Sequence, residues 1–183
     1  MRVGFKKSVL LNLLAVLLLS SSAAAQIDPQ VGILEPSKES VESSSNHRLV
    51  VRVIDGDTIV VSPNEKVRLI GVDTPETIHP KKTVACFGKE AKQFTHDSTD
   101  GKTVRLIMDA VNAKRQHKDR YGRTLAYAYL PDGKMLNAEL LRQGYARAYT
   151  RFSFRYLVEF RQLERQARIQ TVGLWLSCSL SEP

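Results

Sequence analysis

The sequence predicts an α+β fold, mainly β, built as a small five-stranded barrel packed by about three helices. Three observations predict it. Residues 49–54, 58–61 and 66–72 are apolar, β-branched runs separated by tight-turn residues. Two further runs of the same kind, 103–108 and 125–130, follow glycine-containing turns. Helical spacing appears only between the third and fourth runs and after the fifth.

Taken in order, the first two runs flank Asp55 and Gly56, a dipeptide that favours a hairpin. Ser62, Pro63, Asn64 and Glu65 form the second turn. Residues 77–86 form a loop, and 87–99 a helix with Phe87, Ala91 and Phe94 on one face. A polar, basic loop at 113–120 leads to the fifth strand. Pro131, Asp132 and Gly133 close that strand. Residues 135–144 form a second helix ending at a glycine suited to a C-cap. Tyr156, Leu157, Phe160, Leu163 and Ala167 mark the apolar face of a third, and residues 171–175 close the core. The count and order fit a five-stranded Greek-key barrel of the OB-fold type, spanning residues 47–178.

The chain of 183 residues begins with a different kind of sequence. Arg2, Lys6 and Lys7 precede an apolar run at 9–19, and a serine cluster leads to Ala23, Ala24 and Ala25. This is the pattern of a cleavable secretory signal over residues 1–25. The apolar run is well short of the roughly 20 residues that span a bilayer, so no stable membrane anchoring is expected after cleavage. Residues 26–46 are rich in Ser, Glu and Pro and read as a flexible leader, and 179–183 as a C-terminal tail. The expected location is secreted or periplasmic, and the expected state a monomer.

Charge narrows the partner. The signal and the leader cancel, so the body beyond residue 45 keeps the whole formal charge of +8. A domain this basic suits a polyanion, nucleic acid first. Cys86 and Cys178 are an even pair in a chain read as exported, which favours one bridge over two unrelated thiols. The four histidines, His47, His79, His96 and His117, are scattered and have no zinc-site spacing.

The chemistry is concentrated in residues 57–76, which contain Asp57, Arg68, Asp73 and Glu76. Singly, each has a plain alternative. Asp57 and Asp73 are turn formers, Arg68 a strand charge and Glu76 a solvated loop acid. Jointly, three carboxylates and a guanidinium suit a hard cation and a phosphate together, which points to phosphodiester chemistry. A meander brings Asp57 at the start of strand two and Asp73 at the end of strand three to one end of a barrel.

Motifs extend through most of the body. They are VIDGDT at 53–58, RLIGVDTPET at 68–77, HPKK at 79–82, FGKEA at 87–91, DRYGRTLAY at 119–127, DGKM at 132–135, LRQG at 141–144, and Leu174 with Trp175. In this order the set closely resembles the staphylococcal nuclease (thermonuclease) family over roughly residues 48–177. The resemblance implies an OB-fold barrel with helices, and a calcium-dependent phosphodiesterase acting on DNA and RNA. Water attacks phosphorus in that family, the P–O5′ bond breaks, and 3′-phosphate ends remain. The positions matching Asp57 and Asp73 supply carboxylate oxygens to calcium, and that matching Thr74 a backbone carbonyl. Glu76 matches the candidate general base, and Arg68 and Arg123 match the groups that bind the scissile phosphate. Tyr121 matches a tyrosine near the nucleotide. Tyr149 is either the second substrate-contacting tyrosine or a core residue. The 109–119 loop is longer than in the family's best-known member, which also lacks thiols matching Cys86 and Cys178.

The resulting expectation is a secreted calcium-dependent endonuclease acting on single-stranded or denatured DNA and RNA. A catalytically inert nuclease-like module that only binds nucleic acid or protein is the alternative. Retention of Asp57, Arg68, Asp73, Glu76 and Arg123 favours the enzyme. A phosphodiesterase for small substrates is a third reading, disfavoured by the charge of the body.

Overall fold

The computed structural model describes residues 46–77 and 84–178. The segments read as signal peptide and C-terminal tail, nearly all of the leader, and the HPKK motif lie outside the described residues. Five strands close into a barrel: β1 (His47–Asp55), β2 (Thr58–Val61), β3 (Glu65–Leu69), β5 (Thr103–Ile107) and β6 (Thr124–Tyr129). Their order is β1-β2-β3-β6-β5, with β5 returning to β1. All neighbours are antiparallel except β3 and β6, which run parallel. This is the expected OB-fold barrel.

The barrel is filled by branched side chains, including Val50, Val53, Ile59, Val61, Val67, Leu69, Val104 and Leu106, all buried. Alternation along β1 is interrupted by register shifts between Val50 and Arg52 and between Val53 and Asp55. The first lets the neighbours Val51 and Arg52 both face outward, as a bulge does. The hairpin loop is Gly56 and Asp57, one residue later than the Asp-Gly reading, because Asp55 pairs with Thr58. This shift puts Asp57 at the tip.

The third strand ends early. Residues 66–72 read as one strand, but β3 stops at Leu69 and Gly71 adopts φ +75°. A side chain at Gly71 would meet the rings of Phe154 and Phe160 at 2.7–2.8 Å. Beyond the break, β4 (Val72–Asp73) pairs instead with β7 (Arg147–Ala148) in a separate two-stranded sheet. The break turns Asp73 away from the barrel wall, towards the cleft described below.

Among the described residues four α-helices surround the barrel: α1 (Gly88–Thr99), α2 (Leu136–Arg142), α3 (Leu157–Ile169) and a short α4 (Leu174–Ser177). The first three are the expected ones. Gly144 follows α2 with φ +71°, in the left-handed conformation its C-cap requires. Phe87 and Phe94 of the predicted α1 face both stack on Tyr145, at 5.5 and 4.4 Å. Buried Asn137 on α2 accepts from Ala128 N–H and donates to Ile70 O, so it ties α2 to β6 and to the end of β3. Leu174 is buried, but Trp175 lies against Arg147 and Arg168 instead of closing the core. Cys86 and Cys178 form a disulfide. Among the described residues no helix is long and apolar enough to cross a membrane.

Candidate active site

A cleft of about 860 Å³ opens against the β2–β3 side of the barrel. Asp57, Arg68, Asp73, Glu76, Tyr121, Arg123 and Tyr149 all line it. Thr74, the eighth predicted site residue, is buried beside Asp57. The topology explains the convergence. Arg68 pairs across the sheet with Thr58, the residue after Asp57, and Leu125 lies opposite Arg68 on the parallel neighbour. Arg123 therefore enters from the start of β6, close to the hairpin tip.

Asp57 is the buried centre. Its carboxylate accepts hydrogen bonds from Thr58 Oγ1 at 2.9 Å and from Thr74 N–H at 3.1 Å. Arg68 Nη2 lies 3.0 Å from Asp57 Oδ2 and 3.2 Å from Asp73 Oδ1. Its Nη1 donates to the Leu69 and Val72 carbonyls at 3.0 and 2.7 Å. One guanidinium nitrogen thus stands between two carboxylates. Burial pushes the Asp73 carboxyl above its ordinary value; Arg68 opposes this, while Asp57 and Glu76 reinforce it. Acids are crowded here around a place that holds positive charge.

Arg123 belongs to a tight loop organised by Asp119. One Asp119 oxygen accepts from the backbone N–H groups of Tyr121 and Arg123, at 2.8 and 2.9 Å. The other accepts from Arg123 Nε at 2.7 Å. Burial alone would raise the Asp119 carboxyl, but these bonds and the Arg123 charge hold it below the ordinary value. Arg123 Nη1 reaches Thr58 Oγ1 at 3.5 Å, and Thr58 donates on to Asp57. The two arginines are connected through the Thr58 hydroxyl and the Asp57 carboxylate. Tyr121, 68% exposed, lies against the Arg120 and Arg123 guanidinium groups. Tyr149 is held by its N–H to Gly71 O at 2.9 Å and is on the cleft wall, 37% exposed, not in the core.

Glu76 is exposed on the segment after β4, and side-chain and backbone contacts fix that segment. Thr77 Oγ1 donates to Asp55 Oδ1 at 3.0 Å, and Ala85 N–H donates to Glu76 O at 3.0 Å. A side chain at Gly88 would meet the Pro75 and Glu76 carbonyls at 3.0 Å, so glycine lets the start of α1 pack against them.

The donors fit a hard cation. Asp57 and Asp73 converge on one positive nitrogen, and Thr74 Oγ1 is buried with no hydrogen-bond partner. Carboxylate, hydroxyl and carbonyl oxygens are the set that calcium or magnesium takes. Among the described residues no three His, Cys, Asp or Glu side chains are already gathered as a metal cage.

Three supporting residues escape a sequence reading: Asp119, Thr58 and Asp55. The first carried a signal, an aspartate four residues before an arginine with glycine between. The other two act on partners distant in sequence.

Residues 66–177 match the family model described as staphylococcal nuclease homologue. The protein belongs to this family. It is 43% identical to a thermonuclease from Staphylococcus hyicus over 147 residues, covering 76% of this chain and 83% of that protein. It is 41% identical to a thermonuclease from Staphylococcus intermedius over 142 residues, covering 75% and 81%. An endonuclease of Bacillus subtilis, YncB, is 36% identical over 129 residues, covering 68% of this chain and 59% of that one. The matched region includes β3, the Asp73–Glu76 segment and the Asp119–Arg123 loop.

Proposed function

We propose that this protein is a calcium-dependent endonuclease that hydrolyses single-stranded or denatured DNA and RNA. Water attacks phosphorus and 3′-phosphate ends are left. One observation carries the reading. Arg68 and Arg123 meet in one cleft with Asp57 and Asp73, and Thr58 joins Arg123 to Asp57.

Asp57, Asp73 and the Thr74 carbonyl would hold calcium, which when bound offsets phosphate charge and makes a coordinated water more acidic. Arg68 has Nη1 committed to two backbone carbonyls, so Nη2 is the group that exchanges between the aspartates and a phosphate oxygen. Arg123 has Nε committed to Asp119, which fixes the guanidinium plane and leaves its outer nitrogens for phosphate. Together the arginines stabilise the charge added as water oxygen bonds to phosphorus. Glu76 takes the proton of that water. The P–O5′ bond breaks, and the leaving oxygen takes a proton from solvent. Tyr121 and Tyr149 offer ring faces to bases on either side.

Export to the periplasm or medium is part of the same proposal. It rests on the pattern of residues 1–25 and on the Cys86–Cys178 disulfide, which suits an oxidising compartment. The same proposal has the protein act as a monomer.

The test is hydrolysis of single-stranded DNA with calcium, with magnesium and with chelator, by the wild type and Glu76→Gln. Turnover requires calcium, and Glu76→Gln lowers it by about 10²–10⁴ without unfolding the protein. Activity that survives chelation, or an unimpaired Glu76→Gln variant, overturns the proposal. Tight binding with no cleavage under any condition makes the protein an inert binding module.

A further inference from the structure

Beyond the two reactive arginines, Lys66, and Arg120, which lies over the Tyr121 ring, the cleft is lined by Arg115 and Arg151. Both are exposed, and neither forms a salt bridge among the described residues. They come from separate parts of the chain. Arg115 ends a 3₁₀ turn, Ala110–Arg115, in the loop before β6. Arg151 follows β7, beside Phe152, which is 56% exposed and 6.0 Å from Tyr149.

A buried acid joins the two segments. Asp109 caps the 3₁₀ turn by accepting from Val111 N–H at 3.0 Å. Its second oxygen accepts from Arg155 N–H at 2.8 Å and from the Tyr127 hydroxyl. One side chain thereby fixes the wall carrying Arg115 against the segment carrying Arg151 and Phe152. The wall is built, and its cations are left uncompensated. Two free guanidinium groups beside exposed rings suit a phosphate and an unstacked base of one strand.

We propose that Arg115, Arg151 and Phe152 form a second subsite, which grips a phosphate and base flanking the scissile bond of a single-stranded polynucleotide. This deepens the nuclease reading and rests on it for the identity of the substrate. The subsite makes affinity depend on strand length: a short oligonucleotide fills the reactive site alone, while a longer one fills both. A base-paired strand presents no free ring to Phe152 and gains less.

Binding without turnover tests this independently of catalysis. Fluorescein-labelled oligo-dT of three and of twelve nucleotides is titrated by anisotropy in chelator, with the wild type, Arg115→Ala/Arg151→Ala and Phe152→Ala. The wild type binds the twelve-mer at least tenfold more tightly than the three-mer. The double variant loses most of that ratio, and its log–log salt dependence on the twelve-mer is shallower by about 0.7, the value for one phosphate contact on a single strand. Phe152→Ala lowers the ratio with the salt slope unchanged. A length ratio and salt slope equal to wild type in the double variant overturn the subsite. The nuclease reading fails separately, if the wild type binds the twelve-mer as described but does not cleave it when calcium is supplied.

Discussion

Arg68 Nη2 lies 3.0 Å from Asp57 Oδ2, and both side chains are nearly buried. In the proposed mechanism the pair sets one requirement: Arg68 neutralises the aspartate until a cation does. Removing one partner of a buried pair leaves an uncompensated charge. Arg68→Ala is therefore expected to lose about 2–4 kcal/mol in urea denaturation without calcium. Added calcium restores more stability to the variant than it adds to the wild type. Turnover falls by about 10²–10³ even with saturating calcium, because the phosphate has lost a donor. Equal calcium effects on both proteins would show that Arg68 does not share the aspartates with the ion.

Gly56 is the second constraint on Asp57. A Cβ there would lie 2.8–3.0 Å from the Thr74 side chain. Thr74 is a short, buried residue whose N–H holds Asp57, so it has little room to retreat. Gly56→Ala is expected to cost about 1–3 kcal/mol, as overpacking does. Thr74 moves and carries Asp73 with it, so the concentration of calcium giving half-maximal activity rises. Unchanged calcium dependence would place the strain elsewhere.

The barrel was legible because its strands are short β-branched runs between turn residues. The family motifs added the candidate site. What stayed hidden depends on partners remote in sequence. Thr58 connects to Arg123 across 65 residues, and Asp55 to Thr77 across 22, and no local pattern marks either. The break at Gly71 was missed because residues 66–72 keep an apolar run through it. Only the rings of Phe154 and Phe160, from the far end of the chain, show why the backbone turns there. Trp175 reads as core by hydrophobicity, yet its faces are taken by Arg147 and Arg168. Tyr149 is undecidable between wall and core until β7 is seen pairing with β4.

The disulfide supports both the fold and Glu76. It closes a loop of 92 residues, for which chain entropy predicts about 4.6 kcal/mol of stabilisation. Cys86→Ser/Cys178→Ser should lose about that amount in urea. Cys86 lies between Ala85, which bonds the Glu76 carbonyl, and Gly88, which packs on it. Turnover should therefore fall in the variant while oligonucleotide affinity, set by the arginines, is kept. A parallel loss of both would mean that the bond acts only through global stability.

Acid should unfold the protein through Asp109 and Asp119. Burial alone would raise Asp109, but hydrogen bonds from Arg155 N–H, the Tyr127 hydroxyl and Val111 N–H outweigh it and hold the carboxyl below the ordinary value. Burial and the Asp109 charge push Tyr127 upward, so it stays a donor. Both aspartates are ionised in folded and unfolded chains at neutral pH, and their contribution is then complete. Below about pH 5 the unfolded chain, with an ordinary aspartate value near 3.9, takes up protons before the folded one. Stability falls from there and is lost as pH drops through the folded values. Asp109→Asn keeps the shape and removes the titration. It should be less stable at pH 7, with a smaller further loss between pH 7 and 3.5 than the wild type shows. Urea midpoints at the two pH values measure this. A variant that loses as much as the wild type over that interval would show that Asp109 is not one of the groups through which acid acts.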